Sequence, residues 1–102
     1  MAAKHEKDPR ITLPSMHMLA AFADNQYAEL SGSSIAKATG MASGTLYPLL
    51  MRFEQAKWLE SRWEDVDPVE LGRPRRRLYR LTPTGLAKVL AILQPFARGE
   101  PA

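Results

Sequence analysis

Between Met41 and Leu59 the chain reads MASGTLYPLLMRFEQAKWL, and its apolar positions recur on the helical period. Leu46, Leu49, Leu50 and Phe53 stand at i, i+3, i+4 and i+7, which gathers them on one face of a helix predicted over 42–56. The opposite face carries Gly44, Thr45, Tyr47, Pro48, Met51 and Arg52, with no acid among them. A helix so divided rests its apolar side on a domain and offers the other side to a partner. Pro48 deletes a backbone donor, which costs about 3 kcal/mol in a helix interior, and predicts a bend after the first turn. The helix should stop at Ala56, with Lys57 in the left-handed conformation that glycine would adopt with less strain.

The flanking segments carry their own periods. Met1 to Thr12 is polar and aperiodic, a predicted mobile arm. Pro14 suits the first turn of a helix that runs to about Asn25 on the stripe Met16, Leu19, Ala20 and Ala23, with Phe22 beside it. Tyr27 to Leu30 reads as a strand stub. Ser31 or Ser33 can cap a short helix through Ile35, Ala36 and Thr39, which Gly40 closes. Two helices joined by so short a turn form the helix-turn-helix pattern.

Downstream, Trp58 to Glu64 alternates, with Leu59, Ser61 and Trp63 on one side and Trp58, Glu60 and Arg62 on the other. Asp65 to Pro74 is turn-forming. Arg75 to Leu81 alternates again, with Tyr79 and Leu81 inward and Arg76 and Arg80 outward. Thr82-Pro83 then starts a last helix over 83–94, which Pro95 should limit. From Leu86 to Leu93 every residue but Lys88 is apolar, so this helix needs cover on more than one side. A second copy of the chain is the simplest cover, which makes Met16, Leu19, Leu86, Val89, Leu90, Leu93 and Phe96 the predicted dimer interface.

The resulting fold class is mainly α with a small β-hairpin, an α+β winged helix-turn-helix of four helices and a two- to three-stranded wing. Its domain spans 13–97, between the arm 1–12 and a tail 98–102. A chain of 102 residues has room for one core and no second domain. Without cysteine it forms no disulfide and no thiolate metal site, and His5 and His17 are its only imidazoles. No leader pattern and no long apolar run is present, so a soluble cytoplasmic protein is expected. The net charge of +3 is modest, but its distribution is not. Residues 60–70 hold five acids against one arginine, whereas Arg73, Arg75, Arg76, Arg77 and Arg80 follow with no acid between them.

That layout suits duplex DNA. Arg52 can give paired donors to guanine, and Thr45 and Met51 can meet a thymine methyl. Ser43 and Gly44 would bring backbone N–H groups close to a phosphate. Arg73, Arg75, Arg76 and Arg77 would neutralise phosphates or enter a narrow minor groove.

The segments SGSSIAK (31–37), GTLYPLLMRFE (44–54), WLESRW (58–63) and GRPRRRLYRLTPTG (72–85) resemble the PadR-like transcriptional regulators over about two thirds of the chain. The resemblance implies a dimeric winged-helix repressor in which Tyr47 and its neighbours, Pro48 included, face DNA and the wing arginines hold phosphates. Lys57 replaces a usual glycine. An enzyme is disfavoured, because no nucleophile–base pair, phosphate-binding glycine loop or metal spacing is present, and no cofactor is expected. The rival readings are a winged-helix protein-interaction module that does not bind DNA, and a regulator in which Trp58 and Trp63 bracket a flat aromatic effector. The sequence does not decide whether an effector exists.

Overall fold

The computed structural model describes residues 8–26 and 28–97, with the side chains of 95–97 set aside. Its elements run α1 (Leu13–Ala23), β1 (Leu30–Ser31), α2 (Gly32–Thr39), α3 (Ser43–Gln55), β2 (Leu59–Trp63), α4 (Pro68–Leu71), β3 (Arg77–Leu81) and α5 (Pro83–Ala97). The three strands form one antiparallel sheet in the order β1-β3-β2, with Ser61 opposite Tyr79 and Leu30 opposite Tyr79 on its other edge. This is a winged helix-turn-helix, with one helical segment more than the sequence predicts.

Local chemistry accounts for most element ends. Thr12 and Ser15 cap α1 reciprocally: the Thr12 hydroxyl accepts from Ser15 N–H at 3.3 Å and the Ser15 hydroxyl accepts from Thr12 N–H at 2.7 Å. Ser31, rather than Ser33, caps α2 by accepting from Ser34 N–H at 3.1 Å. Gly40 closes α2 in the left-handed conformation. Asp67 caps the single turn α4, which stands inside the stretch expected to be turn alone. At α5 the Thr82 hydroxyl accepts from Gly85 N–H at 2.9 Å.

The core is the face predicted from Leu46, Leu49, Leu50 and Phe53, joined by Met18, Leu19, Phe22, Ile35, Trp58, Leu59, Tyr79, Leu81 and Val89. Leu19 and Val89 are thus filled into the chain's own interior, which corrects their expected place on a dimer surface. Met16, Leu86 and Leu93 are half-buried, Leu90 is exposed, and the side chain of Phe96 lies outside the described residues. Tyr79 and Leu81 point inward and Arg80 outward, as their alternation predicts.

Pro48 and Pro95 both stand inside helices, and the second lies where α5 runs beyond its expected end. Helix α3 continues through Pro48 without interruption, because the bond that proline deletes belongs to the carbonyl of Gly44, an exposed residue whose oxygen water can reach. Helix α5 likewise continues past Pro95 to Ala97, and the carbonyl it frees is that of exposed Ala91. Of the expected arm, residues 1–7 lie outside the described residues, as do Tyr27 and the tail 98–102. Asp8 is tied to the body by a 2.7 Å contact with Lys88 on α5.

Candidate nucleic-acid interface

Helix α3 carries its core face inward and leaves Ser43, Gly44, Thr45, Tyr47, Pro48, Met51 and Arg52 exposed. No side chain caps its first turn, and the amides of Ser43 and Gly44 have no partner among the described residues. Tyr47 packs back toward α2. Its ring lies against Gly32 at the start of α2, so closely that a Cβ on Gly32 would stand 2.7 Å from the Tyr47 Cζ.

On the far side of Tyr47 rises the wing. Ser31, Gly32, Ser33, Tyr47, Tyr79, Trp63 and the segment Arg73 to Arg77 line one open groove, and no lining residue is acidic. Tyr47 is the residue through which α3 meets the arginine-rich wing across this groove.

The wing arginines divide by what already holds them. Arg73 is half-buried and forms a bidentate contact with Glu64, at 2.8 Å from Nη1 and 3.2 Å from Nη2. Arg77 Nε donates to the Ser61 hydroxyl at 3.0 Å, and that hydroxyl donates to Glu54 at 2.6 Å. The Arg77 guanidinium also lies 5.2 Å from the Trp63 ring centroid. Arg75 Nε donates to the Val66 carbonyl at 2.8 Å, which leaves its terminal nitrogens available. The side chains of Arg76 and of Arg52 on α3 have no hydrogen-bond or ion-pair partner among the described residues.

Elsewhere on the sheet the charges cancel. Arg62 pairs with Glu29 at 2.6 Å and Arg80 with Glu60 at 2.6 Å, so these two strand arginines are already neutralised. Glu64 is held down to a pKa of about 2, first by the Arg73 guanidinium and then by the Arg76 amide that donate to it. It is therefore an anion at neutral pH.

Trp63 does not join Leu59 on the buried side. It is 57% exposed over the groove, while Trp58 precedes the strand and is buried against Phe53. The two tryptophans therefore do not bracket a common ligand. Gly32 and Trp63 line the groove and Glu64 anchors Arg73 beside it, and sequence reasoning placed none of the three there; the Ser31 cap was a signal for the first, but nothing local marks the other two. No group of three metal-ligating side chains occurs among the described residues, and no helix there is long and apolar enough to cross a membrane.

Comparison with known proteins returns a consistent answer. Among solved structures, the DNA complex of MepR from S. aureus superposes with a TM-score of 0.69 at 26% identity, covering 87% of this chain and 67% of that one. BpsR of Bordetella bronchiseptica, whose DNA binding is described as regulated by 6-hydroxynicotinic acid, gives 0.68 at 26% identity over 88% of this chain and 58% of its own. A PadR-like transcription factor from Bacteroides fragilis gives 0.67 at 20% identity, over 84% and 82% of the two chains, and shows the fold alone. The chain spans about three fifths of the length of an AbfR chain and of a second MepR chain that it matches, 61% and 60%. Curated protein sequences return no match. The model of the transcriptional regulator PadR-like family matches residues 29–91, more than half of the sequence and all of the helix-turn-helix and wing just described, and the chain belongs to that family.

Proposed function

We propose that this protein is a dimeric repressor that binds duplex DNA in a sequence-specific way. The observation that carries this reading is the acid-free groove that Tyr47 of α3 shares with the wing arginines. Helix α3 would lie in the major groove. There Arg52 supplies paired donors to guanine, and Thr45 and Met51 supply apolar contact to thymine. The unpartnered amides of Ser43 and Gly44 approach a phosphate, with Tyr47 and Pro48 forming the adjoining surface. In the wing, the free guanidinium of Arg76 and the terminal nitrogens of Arg75 are the groups best able to meet phosphates or a narrow minor groove. Family membership and the DNA-bound MepR relative support the partner class.

The dimer would form through α5. Leu90 is 39% exposed and stands with Leu86 and Ala87 on one side of an open groove that Gln26, Glu60 and Arg80 also line. Paired winged helices present two recognition helices to half-sites about one helical turn, roughly 34 Å, apart.

Selection from a random duplex library with the purified protein tests both claims. Enrichment of a palindrome is the expected result. A library that stays unenriched while the folded protein captures protein partners would overturn the DNA reading in favour of an interaction module.

A further inference from the structure

The acidic stretch 60–70 looks out of place beside a surface meant for phosphates, yet one of its carboxylates is built into the wing. Glu64 follows β2 directly, and its backbone N–H donates to the Arg76 carbonyl at 2.9 Å, extending the ladder by one step. Its side chain then turns across the loop. Oε1 accepts from Arg73 Nη1 at 2.8 Å and from the Arg76 backbone N–H at 2.9 Å, while Oε2 accepts from Arg73 Nη2 at 3.2 Å. Arg73 Nη1 reaches on to the Pro74 carbonyl at 3.0 Å. One carboxylate thus ties together residues 64, 73, 74 and 76, closing a loop that has only the short α4 of its own. Charge-assisted and bidentate bonds of this kind fix geometry as well as adding energy.

We propose that Glu64 is the positioning residue of the DNA interface: it pins the base of the wing so that Arg75 and Arg76 face the groove, and it makes Arg73 an internal strut rather than a phosphate contact. The inference rests on the DNA reading given above, and it makes a claim opposite in sign to plain electrostatics. Replacing Glu64 by glutamine raises the net charge by one beside a polyanion, which by itself tightens binding. Loss of the pin instead forces DNA to order a loose wing, and the entropy of ordering the loop and its arginines weakens binding.

The test uses the full chain as wild type, Glu64→Gln and Arg73→Ala. The probe is a fluorescein-labelled duplex of mixed sequence, titrated by anisotropy over a range of salt concentrations. Amide exchange at Arg76 is followed in parallel without DNA. The expected result is that Glu64→Gln binds about tenfold more weakly and exchanges faster at Arg76. Arg73→Ala should keep the wild-type salt slope, because it removes no phosphate contact. Tighter binding by Glu64→Gln, or a slope shallower by about 0.9 in Arg73→Ala, overturns the proposal. If Glu64→Gln does not fold, the Arg73→Ala slope decides. A folded wild type that binds no duplex overturns the DNA reading and the positioning role with it, and the Arg76 exchange then still reports whether the pin exists.

Discussion

The ring of Phe53 meets Trp58 edge-on, with centroids 5.1 Å apart and planes at 70°, and this contact closes the end of α3. Around it the backbone forms a Schellman turn: Trp58 N–H donates to the Phe53 carbonyl at 3.0 Å, and Lys57 N–H donates to the Glu54 carbonyl at 3.0 Å. The turn requires Lys57 at φ 70°, and it is the sole non-glycine residue at positive φ among the described residues. Glycine relieves that strain but raises the entropy of the unfolded chain. Lys57→Gly is expected to gain a net of about 0.5 kcal/mol, a rise of a few degrees in Tm. A fall in Tm would show that the Lys57 side chain contributes more than its backbone costs.

The carbonyl on which α5 starts is also that of Trp58. It accepts from Thr82 N–H at 2.9 Å, and the Thr82 hydroxyl donates to the Lys57 carbonyl at 2.6 Å. Gly85 packs directly on this backbone, and a Cβ there would stand 2.7 Å from the Trp58 carbonyl carbon. Backbone cannot yield as a side chain does. Gly85→Ala should cost about 3 kcal/mol, and chemical denaturation measures it; a loss under about 1 kcal/mol would mean that α5 can slide.

Gly32→Ala meets a different obstacle, the far end of the Tyr47 side chain. The ring can rotate away into the groove, so stability should change by less than about 1 kcal/mol. DNA affinity is expected to fall about fivefold, since the displaced ring stands where the duplex would enter. Unchanged affinity would remove Tyr47 from the binding surface.

Leu90→Glu places a charge in the apolar surface of α5 without touching the core, where Val89 is fully buried. Its dimer should dissociate about thirtyfold more readily in sedimentation equilibrium, with Tm at low protein concentration little altered. A wild-type protein that is monomeric at high concentration would exclude an α5 dimer.

The depressed pKa of Glu64 fixes the sign of one pH dependence. The unfolded chain takes up this proton at the ordinary carboxylate value near 4.3, whereas the folded chain holds it off to about 2. The contribution of the carboxylate to stability is therefore whole above the ordinary value and is lost as pH falls toward about 2. Urea titrations of wild type and Glu64→Gln should differ by a constant amount from about pH 8 to pH 5 and converge below that. A difference that changes near neutrality would assign the effect to another group.

What the sequence determined by itself was whatever depends on neighbours within a turn or two. Helical period separated Leu46, Leu49, Leu50 and Phe53 from the exposed face of α3, and hydroxyl, proline and glycine signals placed ends at Gly40 and Thr82 and narrowed the start of α2 to Ser31 or Ser33. Lys57 was legible for the same reason, since a helix end makes its own demand on backbone geometry. Only the tertiary structure decided which residues pair across distance. Periodicity shows that Leu19 and Val89 want cover but not that the cover comes from the same chain. Composition shows five arginines near the wing but not that Glu64 takes up Arg73, nine residues away, or that Ser61 and Trp63 hold Arg77. Those assignments follow from the register of β2 on β3, which sets a carboxylate, a hydroxyl and an indole beside particular guanidiniums and leaves others free.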